Sequence, residues 1–148
     1  MIWVVDASVA LRWLLRGEEH PGAQAVLESM LAQPLGFAVP ELFMFEVYAV
    51  LCKLHPKAGI AFQTGVIPVL RSGVMRHPMT RDLASYAARF VDMGLTGHDA
   101  CYAGLAALLK GTWLTFDSKA HARIKAAGLS HDLNKGLPSE WPPSPATA

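Results

Sequence analysis

At 148 residues the chain is the size of one domain, long enough to bury about 70% of the surface its unfolded form exposes, without disulfide or metal staples. Hydrophobic residues make up 52% and charged residues 17%, which excludes a disordered chain. Thirteen Lys and Arg against twelve Asp and Glu leave a formal charge of +1, so no strong overall field draws in nucleic acid, and a polyanion has to be held by a local basic patch or by metal ions.

In chain order, Ile2–Val5 reads as a buried β-branched strand and Val9–Leu15 as a helix. A second helix is expected from Glu18 to Leu31, with Ala25, Leu27, Met30 and Leu31 as apolar members, followed by a weak strand at Gly36–Val39. Pro40 is read as the opening residue of a third helix that ends near Leu54, before His55-Pro56. Ala58–Leu70 is expected to be helical, bent or shortened by Pro68, and Val74–His77 to be a short strand. Thr80-Arg81-Asp82 starts a helix that ends near Gly94. Thr96 caps a helix from Gly97 to Lys110, which Gly111 stops. Thr112–Phe116 is the second well-marked strand, and a helix after Asp117 ends at Gly128 before a last strand at Leu129–Leu133. Strands alternating with helices predict an α/β domain with a mostly parallel sheet and helices on both faces. The stretch from Pro138 onward holds four of the ten prolines and no apolar period, so a folded domain over 1–137 and a disordered tail over 138–148 are expected.

Cys52 and Cys101 both lie in apolar runs at a spacing that matches no zinc or redox motif, and reduced buried thiols suit a cytoplasmic protein. The beginning of the chain has no basic region, and its apolar run is broken by Asp6 and Arg12, so no signal peptide is expected. The longest uncharged apolar stretch, Ala100–Leu109, is far short of the roughly 20 residues of a membrane span.

The twelve acidic residues sort by their neighbours. Glu18, Glu19, Glu28, Asp82 and Glu140 lie in polar or helix-start contexts, Glu41 in a first helical turn, and Asp92 and Asp132 are ambiguous. Four remain inside apolar sequence: Asp6 after Ile-Trp-Val-Val, Glu46 between Phe-Met-Phe and Val-Tyr-Ala-Val-Leu, Asp99 ahead of Ala-Cys-Tyr-Ala-Gly-Leu, and Asp117 after Trp-Leu-Thr-Phe. Taken singly, Asp6 and Asp117 also read as helix N-caps, Asp99 as a first-turn anion, and Glu46 as part of a solvated stripe with Ala49 and Lys53. Taken together, two aspartates at strand ends project where open parallel sheets bind ligands. Clustered buried carboxylates repel one another, and a hard divalent cation such as Mg²⁺ or Mn²⁺ compensates them.

Val4-Val5-Asp6-Ala7-Ser8, Pro40 with Glu46-Val47, Leu95-Thr96-Gly97-His98-Asp99-Ala100-Cys101-Tyr102, and Leu114-Thr115-Phe116-Asp117 occur in an order and spacing that resemble the PIN-domain ribonucleases, most closely the VapC-type toxins of toxin–antitoxin pairs. The resemblance covers the chain to about Leu133 and implies a three-layer α/β/α sandwich around a short parallel sheet. It also implies RNA cleavage at an Mg²⁺- or Mn²⁺-binding pocket. By motif, that pocket is Asp6, Glu46, Asp99 and Asp117, with Asp6, Asp99 and Asp117 toward the metal and the hydroxyls of Ser8 and Thr115 in support. His98 departs from the family pattern. The resemblance further implies a homodimer and a cognate antitoxin that blocks the pocket.

For the RNA substrate, Arg12, Arg16, Lys119, Arg123 and Lys125 are candidate phosphate contacts, with an ordinary solvated helix face as the alternative. Trp13 and Phe43 are available for base stacking, with core packing as the competing role. The low charge content and the apolar second to fourth helices agree with a covered surface. A non-catalytic PIN-like binding module is the alternative function. A dehalogenase-like phosphatase is disfavoured because Ser8 stands where it needs a second aspartate, and a receiver because no adjacent acidic residues follow the first strand.

Overall fold

A computed structural model describes residues 1–142. Five strands, β1 (Trp3–Val5), β2 (Phe37–Pro40), β3 (Met75–His77), β4 (Thr112–Thr115) and β5 (Ser130–Asp132), form one sheet in the order β3-β2-β1-β4-β5. Every pairing is parallel, so the expected mostly parallel sheet is parallel throughout. β1 and β2 are buried along their whole length, as continuous apolar runs require when a sheet is covered on both sides.

Eight helices cover the sheet among the described residues: α1 (Ala7–Leu14), α2 (Pro21–Ala32), α3 (Leu42–Leu54), α4 (Ala58–Gly65), α5 (Ile67–Arg71), α6 (Arg81–Asp92), α7 (Gly97–Leu108) and α8 (Ser118–Ile124). The chain steps from β1 outward to β2 and β3, then returns across the sheet to β4 and β5. Right-handed crossovers place α1–α5 on one face and α6–α8 on the other, the three-layer α/β/α arrangement. α7 lies against β1, β2 and β4 and is clasped by α6. That seam has no spare room: a Cβ on Gly104 would stand 2.8 Å from the Ala87 backbone nitrogen. Among the described residues no helix is long and apolar enough to cross a membrane.

Several element boundaries differ from the sequence reading. Pro40 ends β2 instead of opening α3, opposite His77 of β3. It lies beyond the last residue of β2 that pairs with β1, so its missing N–H costs no bond there, and the Glu41 N–H donates to the His77 carbonyl instead. α2 begins at Pro21, not Glu18, because the His20 Nδ1 accepts the Gly22 N–H and sets the cap one residue before the proline. Its buried members are Gly22, Ala23, Val26, Ser29 and Met30, while Leu31 is exposed. The segment 58–71 is two helices, broken at Val66 two residues before Pro68. Residues 138–142, assigned by sequence to a disordered tail, turn back onto the domain: Trp141 packs on Trp3 and Phe37 at ring-centroid distances of 5.1 and 6.0 Å. The gain is burial of a large aromatic surface that local periodicity does not reveal. The remainder of that expected tail, 143–148, lies outside the described residues.

Candidate functional site

The sheet changes direction between β1 and β4, and the crevice beyond the carboxyl ends of these two neighbours is where an open α/β sheet binds ligands. Asp6 follows β1 directly, and Asp117 follows β4 after Phe116. Both cap the next helix, as the local reading allowed: Asp6 Oδ2 accepts the Ser8 N–H at 3.0 Å, and Asp117 Oδ1 accepts the Ala120 N–H at 3.0 Å. Capping and clustering therefore coexist. The two supporting hydroxyls stitch this edge together, Ser8 Oγ accepting the Phe116 N–H at 3.2 Å and Thr115 Oγ1 the Asp117 N–H at 3.0 Å.

Asp99 reaches the crevice from the first turn of α7, whose start is fixed by the Thr96 Oγ1 accepting the Asp99 N–H at 3.2 Å. Glu46 comes from α3 and is half-buried, not part of a solvated stripe. Its Oε1 accepts the Tyr102 hydroxyl at 2.7 Å, and its Oε2 lies 3.5 Å from His98 Nδ1.

Electrostatics link the four. Burial pushes Asp6 up to about 6; hydrogen bonds from Ser8 and Trp113 pull the other way, and the Asp99 charge adds to the rise. Glu46 is raised by burial and by Asp99, against the Tyr102 hydrogen bond and His98. Asp99 is raised by burial and by Asp117, with Thr96, His98 and Arg123 opposing. Asp99 is thus the common electrostatic neighbour of Asp6, Glu46 and Asp117.

The cationic candidates divide. Arg123 donates to the Gly94 carbonyl at 3.1 Å and its charge is felt at Asp99. Arg12 lies over the Phe116 ring at 4.1 Å, beside Asp117, and pairs with Glu18 at 3.6 Å. Lys119 is exposed on the first turn of α8, and Lys125 is exposed just beyond that helix. Arg16 lies past the far end of α1 from Asp6, on a separate cleft of about 720 Å³ that Leu54, His55 and Pro56 also line. Trp13 and Phe43 are structural: Trp13 Nε1 donates to the Ala23 carbonyl at 2.9 Å, tying α1 to α2, and Phe43 is fully buried.

Asp132, ambiguous in the sequence, is a satisfied structural carboxylate. It accepts from Ser118 Oγ at 2.7 Å and from the Asn134 backbone and side chain, each at 2.9 Å. Burial raises its pKa, but these hydrogen bonds outweigh burial and hold it below the usual carboxylate range. Tyr102 and Trp113, which hold Glu46 and Asp6, were not singled out by sequence; the available signal was that a buried Tyr hydroxyl or Trp N–H needs an acceptor.

The family model described as the PIN domain matches residues 3–126, a span that contains all four carboxylates. The chain belongs to the PIN-domain family. Solved structures agree on the PIN fold. FitAcB from Neisseria gonorrhoeae superposes with a TM-score of 0.70 at 16% identity, covering 92% of this chain and all of that one. FitAB bound to an IR36 DNA fragment gives 0.70 at 15% identity over 95% and 100% of the two chains. PAE2754 from Pyrobaculum aerophilum gives 0.64 at 24% identity over 91% and 85%. No curated protein matches.

PIN domains are generally nucleases that use divalent metals. The donor set here is all hard carboxylate oxygen in a crevice where like charges raise one another, which fits Mg²⁺ or Mn²⁺. Among the described residues, however, no group of three or more His, Cys, Asp or Glu side chains is placed to hold a metal ion directly. An ion in this crevice would take its remaining ligands from water.

Proposed function

We propose that this PIN-domain chain is a metal-dependent endoribonuclease, the toxin of a type II toxin–antitoxin pair, hydrolysing RNA phosphodiesters at Asp6, Glu46, Asp99 and Asp117. The observation that carries the reading is that Asp6, Glu46 and Asp117, from three separate parts of the chain, all have Asp99 as an electrostatic neighbour.

Asp6, Asp99 and Asp117 are the residues that would hold Mg²⁺ or Mn²⁺, directly or through water. The bound ion supplies polarisation of the phosphate and a water of lowered pKa. The chain's own work is to hold these carboxylates in place. Ser8 and Trp113 donate to Asp6, Thr96 fixes the turn that carries Asp99, and Thr115 fixes the backbone of Asp117. Glu46 borders the cluster between Tyr102 and His98. Arg123, whose charge is felt at Asp99, and Arg12, over the Phe116 ring, supply positive charge for the RNA backbone, with Lys119 exposed on α8 as a further contact, whereas Arg16 faces the separate cleft. The products are a 5′-phosphate and a 3′-hydroxyl.

The cognate antitoxin covers an apolar face. Phe45, Tyr48, Leu54 and Ile60 of α3 and α4 are exposed, too many large apolar side chains on one helix pair for a surface left in water. The assay that tests the nuclease reading incubates the purified chain with cellular RNA in Mn²⁺ and maps new 5′ ends. Discrete 5′-phosphate ends that vanish in excess chelator are expected. RNA left intact at every divalent-ion concentration would favour the binding-module alternative.

A further inference from the structure

The buried aromatic pair behind the acidic crevice has a use the preceding reading does not require. Tyr102 of α7 and Trp113 of β4 stack with ring centroids 6.1 Å apart and planes within 10°. Both side chains are almost wholly enclosed, Tyr102 at 1% exposure and Trp113 at 0%. Each has one polar hydrogen, and each gives it to a different carboxylate: Trp113 Nε1 to Asp6 Oδ1 at 3.1 Å, Tyr102 hydroxyl to Glu46 Oε1 at 2.7 Å. β1, α3, α7 and β4 are therefore cross-tied through two rings that the core grips on their apolar surfaces.

A ring held this way has few rotamers to choose from, so its donor direction is fixed. A carboxylate oxygen carries two lone pairs; a donor from the core side occupies one and leaves the other able to accept or ligate. The Ser8 N–H does the same for the second oxygen of Asp6.

We propose that Tyr102 and Trp113 are positioning residues that aim Glu46 and Asp6 for divalent-cation binding. This assigns Glu46 to the cation side of the pocket. The proposal rests on the nuclease reading for the identity of the cation and on the hydrogen bonds for everything else.

Tyr102→Phe removes one hydroxyl and keeps the ring stack. Calorimetric titration of the full chain with Mn²⁺ alone is expected to show binding weakened about tenfold, the low end of the range for groups that orient metal ligands. The Mn²⁺ concentration for half-maximal RNA cleavage moves by the same factor, while cleavage at saturating Mn²⁺ recovers. In a Glu46→Ala background the same hydroxyl deletion changes Mn²⁺ affinity by less than about twofold, because the group it acts through is gone. Trp113→Phe gives the corresponding loss through Asp6; where the smaller ring unfolds the core, Tyr102→Phe alone decides. Unchanged Mn²⁺ affinity in Tyr102→Phe, or an equal loss with and without Glu46, overturns the positioning role when the parent binds Mn²⁺ and cleaves RNA. A parent that neither binds Mn²⁺ nor cleaves RNA overturns both readings.

Discussion

The two ends of the sheet are built on opposite principles. At the amino ends of β1 and β2, Trp3 and Phe37 meet Trp141 in an aromatic cluster that closes the domain. At the carboxyl ends of β1 and β4, the same sheet presents Asp6 and Asp117, joined by Asp99 and Glu46. The first end gains from removing apolar surface from water. The second works against the fold: Asp6, raised from 3.8 to about 6, costs on the order of 3 kcal/mol once it is ionised in the folded protein. The comparison teaches that stability and chemistry occupy separate addresses here, so substitutions are expected to separate them too.

The largest separation belongs to Asp6→Asn. Loss of the charge is expected to lower RNA cleavage by at least about 100-fold, more than removal of an orienting partner costs. Stability moves the opposite way. The folded protein binds the Asp6 proton more tightly than the unfolded chain does, so metal-free stability falls as pH rises from about 4 to about 6 and stays lower above that. Asp6→Asn removes the Asp6 share of that decline, leaving the shares of Glu46 and Asp99, and is expected to lose less stability than the parent between pH 4 and pH 8. Thermal unfolding in chelator across this range checks both; a parent that gains stability between pH 4 and 6 would break the contrast between the ends.

Trp141→Ala probes the opposite end. A half-buried indole lost from the cluster is expected to cost about 1–2 kcal/mol in denaturant unfolding, with RNA cleavage per folded molecule unchanged. A large loss of cleavage at unchanged stability would mean the ends are coupled. Arg123→Ala is the mildest change. It is expected to reduce the salt dependence of RNA binding by about one unit of slope, measured by anisotropy in the silent Asp6→Asn background.

How far sequence reaches depends on whether a residue's partners are local. β1 announces itself as an unbroken apolar run and β4 as a short β-branched and aromatic one, and the aspartates that follow them are local facts. All four carboxylates stood out for the same reason, each charged within apolar sequence. What local pattern could not supply was partnership. Glu46 and Tyr102 are 56 residues apart, and Asp6 and Trp113 are 107 apart, so only the folded chain shows who holds whom. Trp141 looked like one more tail residue because Trp3 and Phe37 lie more than a hundred positions away. Proline suits a first turn and a strand end equally, so local sequence does not decide Pro40, and the arbiter is its register opposite His77.

The glycine seam between α6 and α7 bears on evolution and engineering. Asp99 sits one helical turn and a residue before Gly104, whose position against Ala87 admits no side chain at all. The spacing of α6 and α7 is therefore set by two backbones in contact. A slightly larger residue at position 87 would press the two helices apart, and any shift of α7 carries Asp99 with it, so graded attenuation of this chain is to be sought at a contact that involves none of the four carboxylates.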